Sequence, residues 1–286
     1  MEKLKDIIII YHAQCSDGFA AAYAAWKQFG DGASYLPMKT QVEVDDSLTN
    51  KTVYVVDYSL PKHVQEKLQS QGCTVTVIDH HKSAEADVTA FPQNVFDQSR
   101  SGAVLTWQHF HPDEPIPELL LQVEDHDLWK FERPDNMSFN AALRQYPFDF
   151  TIWDELIGKL DDPVFRNKFV AQGKTIVEFE DKLINGLLEF KERVLFEGHD
   201  VWALNVSRVY RSILGHKLAE LNKGTEEPEL GIVYYRNQGA VHISLRSNGD
   251  VDVAAIAEKY GGGGHKNAAS IRVDSFADLP FEFITE

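Results

Sequence analysis

Three short apolar runs in the N-terminal part of the chain alternate with segments of helical pattern. The runs at residues 7–11, 52–56 and 74–78 are rich in isoleucine and valine and predict strands. Helices are predicted between them at 18–29 and 61–71. Strands that alternate with helices form βαβ units, so the chain is predicted to be an α/β protein with a parallel N-terminal sheet.

Each predicted strand runs into residues that can ligate a metal or carry a proton. His12 follows the first strand, Asp57 follows the second, and the third leads into Asp79, His80 and His81. Parallel strands end at one edge of a sheet, where α/β proteins bind their ligands. These side chains are therefore expected to converge on one crevice. In the alternative interpretation, Asp79 caps the next segment and the two histidines are solvated loop residues.

Two further groups of ligand-type residues extend this pattern. Cys15 and Asp17 lie just beyond the first strand, and an acidic cluster follows a helix predicted at 118–123. In that cluster Asp125 is the first candidate ligand and Asp127 the second, because the sequence gives no geometry to separate them. Carboxylates buried together need a cation, so a site for one or two metal ions is predicted. Its oxygen-rich ligands favour Mn²⁺ or Mg²⁺ over a structural zinc ion.

A helix that opens after residues 99–102 and runs to about Phe110 is predicted next to this crevice. The free amides of its first turn, with Ser99 or Ser101, are suited to orienting a phosphate. The alternative is that one of these serines is only the N-cap of the helix.

The second half of the chain is predicted to form a connector and a second domain. Apolar residues recur at spacings of three and four between residues 161 and 198, which indicates a helical connector. It separates a predicted metal-binding domain at 1–160 from a smaller α/β domain at 199–286.

A glycine run in the C-terminal domain is a candidate phosphate-binding loop. Gly263 and Gly264 end the run and His265 follows them. Glycine allows close backbone approach, so successive amides can form an anion-binding nest. Arg246, at the end of a predicted strand, is the expected partner because guanidinium binds phosphate bidentately. The alternative interpretation is a flexible linker.

Composition limits the choice of partners and compartment. The chain has 286 residues and a net charge of −16, which disfavours long DNA or RNA and favours a small phosphorylated substrate drawn to a metal centre. Its two cysteines, Cys15 and Cys73, show no disulfide framework, so a reducing cytoplasm is expected. The four-isoleucine run near the N-terminus is too short for a signal peptide or a membrane span.

Taken in order, these motifs resemble those of the DHH phosphoesterases that carry a DHH-associated, GGGH-containing C-terminal domain. The resemblance implies Mn²⁺ as the cofactor, in one or two ions, and a small nucleotide or short oligonucleotide as the substrate. It implies that Asp79 orients a ligand histidine and that His81 faces the substrate phosphate. It also implies a ligand set and a phosphate cradle, namely His12, Cys15, Asp17, Asp57, His80 and Asp125 for metal, and Gly263, Gly264, His265 and Arg246 for phosphate.

One departure from the family pattern concerns Cys15, where an aspartate is usual. A thiolate favours Zn²⁺ or Fe²⁺ or weakens the site for Mn²⁺, whereas the alternative is a small buried residue beside the site. Two other functions stay open: a pyrophosphatase or exopolyphosphatase, and a nucleotide-binding protein that has lost catalysis. Tyr235 and Tyr260 are candidates for stacking on a nucleobase or, equally, for core packing.

Overall fold

The computed structural model describes residues 4–39 and 48–284, and it divides into two compact units. The first unit comprises Met1–Val177 and the second Glu178–Glu286. The division falls within a single long helix, Pro163–Leu188, which occupies most of the segment predicted as a connector. The strand Glu192–Phe196, which also lies in that segment, belongs to the sheet of the second unit.

The first unit contains a parallel sheet. The elements up to the division are β1 (Ile7–His12), α1 (Ser16–Phe29), β2 (Ala33–Met38), β3 (Thr52–Val56), α2 (Lys62–Ser70), β4 (Thr74–Asp79), α3 (Glu85–Thr89), β5 (Val95–Phe96), α4 (Gly102–Phe110), α5 (Glu118–Asp127), α6 (Asn136–Leu143), α7 (Phe150–Leu160) and α8 (Pro163–Leu188). Among the described residues the sheet has five strands in the order β2-β1-β3-β4-β5, each parallel to its neighbours.

Both faces of this sheet are covered, which explains why its central strands are largely apolar. Successive side chains of a strand point to opposite faces. Ile8 and Ile10 of β1 pack in one apolar cluster with Leu68 of α2, whereas Ile9 packs in another with Leu105 of α4. The sheet edge at the carboxyl ends of the strands is left for polar residues.

The second unit contains a mixed sheet. Its elements are β6 (Glu192–Phe196), β7 (His199–Asn205), α9 (Arg211–Glu220), β8 (Leu230–Asn237), β9 (Ala240–Ser247), α10 (Val253–Lys259), β10 (Gly263–His265), β11 (Ala268–Val273) and β12 (Glu282–Phe283). The strands, as far as they are described, lie in the order β10-β11-β9-β8-β7-β6-β12, with only β7 and β8 parallel. One apolar cluster joins this sheet to α10, and another joins it to α9 and the end of α8.

The predicted class, an α/β fold with a parallel N-terminal sheet, is confirmed. The prediction missed β2, which lies in the segment expected to be a plain connection after α1. This is an edge strand that contains Pro37 and shows no clear alternation of buried and exposed positions, so its pattern is weak. Residues 40–47 of the same predicted connection lie outside the described residues.

In the described part of the chain, no helix combines the length and the apolar character needed to cross a membrane.

We expect Gly173→Ala to lower the free energy of unfolding by about 1–3 kcal/mol, because a Cβ at Gly173 would lie 1.7 Å from the backbone oxygen of Ser138 in α6. The matched control is Gly158→Ala, on the helix before it, where a Cβ would meet no atom within 4 Å. This change should be neutral or stabilise by up to about 1 kcal/mol. Urea denaturation measures both, and equal effects would contradict the packing of α8 on α6.

Candidate metal centre

The polar residues predicted to converge are brought together at the carboxyl edge of the parallel sheet. His12 is the last residue of β1, Asp57 follows β3, and Asp79 is the last residue of β4. His80 and His81 come directly after β4. The parallel register of these three neighbouring strands places their ends at the same edge.

Backbone features allow helices to approach this edge closely. Gly18 in α1 lies against His12, since a Cβ there would come within 2.2 Å of the His12 backbone oxygen. Gly102, the first residue of α4, lies against Asp57, whose Cβ would be 2.4 Å away from an added Cβ. Asp57 itself has a φ of +49°, in the left-handed region that non-glycine residues seldom adopt. Such strain concentrates at functional sites.

The Asp57 carboxylate lies at the centre of the cluster. It is only 1% exposed, and neither of its oxygens has a hydrogen-bond partner. Two imidazoles lie beside it: Nδ1 of His12 lies 3.5 Å from Oδ2, and Nε2 of His80 lies 3.2 Å from Oδ1. His12, Cys15 and Asp57 each offer one ligand atom, and these atoms lie within 4.8 Å of one another.

A second group of potential ligands contains His80, Asp17 and Asp127. Nε2 of His80 lies 3.7 Å from Oδ2 of Asp17 and 3.5 Å from Oδ2 of Asp127, and the three residues meet the same 4.8 Å limit. The Asp17 carboxylate is held in place by the first turn of α4, because the amides of Gly102 and Ala103 donate to it at 2.8 and 3.1 Å.

Asp127, and not Asp125, joins this group, which corrects the order of preference from the sequence. The Asp125 carboxylate turns away and accepts hydrogen bonds from the backbone amides of Glu132 and Arg133, at 3.0 and 3.2 Å. The helix α5 extends through Asp127, past the predicted end at residue 123. Two residues along a helix point in different directions, so only one of the two aspartates can face the cluster.

Asp79 and His81 form a third group with Asp57 and His80, whose ligand atoms also lie within 4.8 Å of one another. Oδ1 of Asp79 accepts from the backbone amides of His80 and His81 and lies 2.6 Å from Nδ1 of His81. Asp79 therefore orients the ring of His81, whereas the resemblance implied that it orients a ligand histidine. Burial lowers the pKa of His81, but the hydrogen bond and charge of Asp79 outweigh it and raise this pKa to about 9.

The pKa shifts in the cluster indicate an excess of acidic groups over positive charge. Burial, together with the charges of Asp57 and Asp127, raises the pKa of Asp17. Burial and the charge of Asp57 raise the pKa of Asp127 to about 6. Burial also raises the pKa of the Cys15 thiol, and the three carboxylates raise it further. Burial opposes the ionisation of Asp57 too, but the neighbouring imidazoles of His12 and His80 and the charge of His81 outweigh it and lower that pKa.

The donors present therefore fit divalent cations. The buried oxygens of Asp57 lack hydrogen bonds, and carboxylates compete for the same small volume. A buried carboxylate without a hydrogen bond is costly unless a cation compensates it. Carboxylate and imidazole donors are the usual ligands of Mn²⁺ and related ions.

The N-terminus of α4 does not offer the phosphate site that was expected. Its first amides donate to Asp17, and the Oγ of Ser101 accepts from the amide of Val104 at 3.4 Å. Ser101 is thus the N-cap residue of α4, which was the alternative interpretation. Ser99 accepts a hydrogen bond from Lys130 through its backbone oxygen.

The glycine run of the second unit adopts a different structure from the expected amide nest. The amides of Gly261 and Gly262 donate to the carbonyls of Glu258 and Ala257 and so cap α10. Gly263, Gly264 and His265 form β10, which pairs with β11. Gly264 is required there, because its φ is +152° and a Cβ would lie 2.4 Å from the Ala268 backbone oxygen. The His265 side chain is exposed at the end of β10.

Arg246 on β9 is a buried cation without an acidic partner among the described residues. Its guanidinium donates to the backbone oxygen of Leu245 and, at 3.1 Å, to the Oγ of Ser212. Burial, followed by the nearby charge of Arg211, lowers its pKa to about 10. Gly215 on α9 makes room for it, because a Cβ there would lie 2.6 Å from the Arg246 side chain. A buried arginine of this kind is suited to an anionic ligand.

The two tyrosines considered for base stacking are already engaged within the second unit. The Tyr235 ring stacks on His242 at a centroid distance of 5.4 Å, and the Tyr260 hydroxyl donates to Glu197 at 2.6 Å.

Trp129 was missed by the sequence analysis, although it lies two residues after Asp127. Its side chain is 45% exposed, and its ring contacts Phe131 at a centroid distance of 4.7 Å. Trp129 and Phe131 both have positive φ values, +58° and +53°, in the loop that Asp125 holds. The signal that could have identified it is the large aromatic residue directly after an acidic cluster.

Comparisons with known proteins find one matching domain and several related chains. Residues 208–280 match the DHHA1 domain. The chain is 27% identical over 302 residues to the Uncharacterized protein R106 of Acanthamoeba polyphaga mimivirus, covering 98% of this chain and 70% of that protein. It is 26% identical over 253 residues to Oligoribonuclease NrnB of Bacillus subtilis (strain 168), covering 80% of this chain and 61% of that protein. Less than two thirds of NrnB is therefore matched.

A solved structure supports the fold. The pGpG-specific phosphodiesterase PggH from Vibrio cholerae superposes with a TM-score of 0.50 over 94% of each chain, at 13% sequence identity. At this identity the similarity concerns the fold alone.

The placement of the two aspartates leads to opposite expectations for their variants. Asp127→Asn should lower the affinity for Mn²⁺ by about tenfold or more, and it should leave the metal-free protein as stable as before or more stable, because one of the mutually repelling carboxylates is gone. Asp125→Ala should instead lower the free energy of unfolding by about 1–3 kcal/mol, because two loop amides lose their acceptor.

Calorimetric titration with Mn²⁺ and urea denaturation in a chelator separate these effects. The reverse result, with Asp125→Ala impaired in Mn²⁺ binding and unchanged in stability, would overturn the placement.

Proposed function

We propose that the chain hydrolyses a phosphodiester bond in a small nucleotide substrate, such as a short oligoribonucleotide or a linear dinucleotide. The chain belongs to the DHH family of phosphoesterases with a DHH-associated C-terminal domain. The observation that carries the proposal is the buried Asp57 carboxylate, which lies between two imidazoles and has no hydrogen-bond partner. Such an arrangement suits a cation-dependent reaction on an anionic substrate.

We propose Mn²⁺ as the ion for at least one of two neighbouring cation sites. Divalent cations bound there would stabilise charge on the phosphoryl oxygens and generate a nucleophile from water near neutral pH. The donors in each site are a histidine and acidic or thiol side chains, namely His12, Cys15 and Asp57 in the first site and Asp17, His80 and Asp127 in the second.

The chain's own residues then position the substrate. His81, whose pKa is about 9, carries a positive charge at neutral pH, and its ring is fixed through Nδ1 by Asp79. We assign it to a phosphoryl oxygen of the substrate and to donation of a proton to the leaving oxygen. Asp79 acts through His81 as a positioning residue, which keeps the imidazole in one orientation.

The choice of a small nucleotide has two supports. With a net charge of −16 the chain repels long polyanions, so a short substrate that reaches a local cationic site is favoured. NrnB is an oligoribonuclease and PggH a phosphodiesterase specific for pGpG, and both names describe short linear substrates. We propose that the buried guanidinium of Arg246, with His265, binds a phosphate group.

A nucleobase, in place of a bare phosphate chain, is favoured by Trp129. This exposed indole lies two residues from Asp127 and is held against Phe131. Large exposed aromatic rings near a nucleotide site stack on bases. A polyphosphate or pyrophosphate substrate offers no group for this ring to contact.

We expect Asp57→Asn to reduce phosphodiesterase activity by more than about 100-fold at saturating Mn²⁺, which is beyond the 10–100-fold typical of outer-shell partners of a metal. The matched control is Asp161→Asn, an exposed aspartate at the end of α7, which should keep full activity. Linear dinucleotides, short oligoribonucleotides, cyclic dinucleotides, pyrophosphate and polyphosphate, each with Mn²⁺, Mg²⁺ or Zn²⁺, form the substrate panel. Hydrolysis of only pyrophosphate or polyphosphate would contradict the nucleotide assignment, and tight dinucleotide binding without any product would contradict catalysis.

A separate expectation concerns Trp129→Ala. Stacking of one base is worth about 1–3 kcal/mol, so KM for a dinucleotide should rise about tenfold or more while the kcat changes little. The Phe179→Ala variant removes a 61% exposed aromatic residue from α8 and is the control, with KM unchanged. Steady-state kinetics on dinucleotides measures both variants. An unchanged KM in Trp129→Ala would remove this residue from the substrate site.

A further inference from the structure

Two of the groups of potential metal ligands, the one that contains Cys15 and the one that contains Asp127, differ in their chemistry. The first group combines one nitrogen, one sulfur and one oxygen donor, from His12, Cys15 and Asp57. The second group has two carboxylates and one imidazole. Thiolate ligands favour Zn²⁺, Fe²⁺ and Co²⁺, whereas carboxylate-rich sites suit Mn²⁺ and Mg²⁺. A single sulfur therefore separates two sites that are otherwise of the same kind.

The sulfur of Cys15 lies where a metal would require it. Cys15 occupies the N-cap position of α1, and its backbone oxygen accepts from the amide of Phe19 at 3.0 Å. It is partly exposed, whereas the other cysteine, Cys73, is buried in the core and donates to the carbonyl of Leu48. The core of the first unit therefore does not need the Cys15 thiol for packing.

The second observation that points to a ligand here is Asp57. Both of its buried oxygens lack a partner, and one ligand atom of Asp57 lies within 4.8 Å of those of Cys15 and His12. The carboxylate that most needs a cation thus shares a site with the only sulfur of the cluster.

We infer that the two cation sites select different metals: the His12, Cys15 and Asp57 site takes a thiophilic ion such as Zn²⁺, Co²⁺ or Fe²⁺, and the Asp17, His80 and Asp127 site takes Mn²⁺ or Mg²⁺. This inference deepens the proposed function, on which it rests for the presence of two cation sites. It implies that the chain loaded with Mg²⁺ alone is filled mainly at the second site. A mixed pair of ions is then the complete centre.

Cobalt provides a direct probe, because a thiolate bound to Co²⁺ gives an intense charge-transfer band in the near ultraviolet and carboxylate or imidazole ligands do not. The full-length protein, freed of metal by chelation, is titrated with Co²⁺ under anaerobic conditions. The variants are Cys15→Ser, which keeps a small polar side chain, Cys15→Asp, which makes the first site all oxygen and nitrogen, and Cys73→Ser as the matched control for the other cysteine.

We expect the band in the wild type and in Cys73→Ser, at one Co²⁺ per chain, and its loss in both Cys15 variants. The preference for Zn²⁺ over Mg²⁺ at that site, measured by competition, should fall by about tenfold or more in Cys15→Asp. Two results would overturn the inference: Co²⁺ binding by the wild type without the band, or a band that survives in the Cys15 variants.

The outcome is separable from that of the proposed function. If the band is absent but Asp57→Asn still abolishes phosphodiesterase activity, the metal selection is wrong and the function stands. If the band is present but no phosphate ester of the panel is hydrolysed, the metal selection stands and the function is wrong.

Discussion

The structure of the first unit depends on one buried carboxylate that protein groups alone do not satisfy. Asp57 follows a largely buried strand, adopts a left-handed backbone conformation and has no hydrogen bond to either oxygen. The flanking imidazoles of His12 and His80 lie more than 3 Å away, at 3.5 and 3.2 Å, and they supply only part of the compensating charge. Because an unpaired buried charge is costly, the cluster is built to be completed by cations.

The helices around the sheet position this carboxylate cluster. The first amides of α4, which form a favourable anion site by their free donors and the helix dipole, are already occupied by Asp17. The loop after α5 is organised by Asp125, which leaves Asp127 to face His80. The protein thus uses its backbone donors to position ligands. Under our proposal, contact with the substrate phosphate in this unit is left to cations and to the His81 imidazolium.

Charge is distributed between the two units according to these roles. The first unit concentrates carboxylates at the end of its sheet, whereas the second carries a buried arginine with no acidic partner among the described residues. This strongly acidic chain nevertheless buries Arg246 in a sheet, next to Arg211 and against Gly215. The match of residues 208–280 to the DHHA1 domain covers this same region. Catalysis in one unit and anion recognition in the other is the division of labour that we propose.

The sequence by itself determined the parallel sheet and the strand ends that carry the chemistry. Buried β-branched runs leave little choice of structure, and parallel strands bring residues distant in the chain, such as His12, Asp57 and His80, to one edge. It left open whether Asp125 or Asp127 faces the cluster, and it did not reveal β2 or that the glycine run forms a strand. Only the tertiary structure decided these points, because the direction of a side chain at the end of a helix depends on what its neighbour hydrogen-bonds. Likewise, an edge strand or a glycine segment takes its conformation from the partner strand beside it.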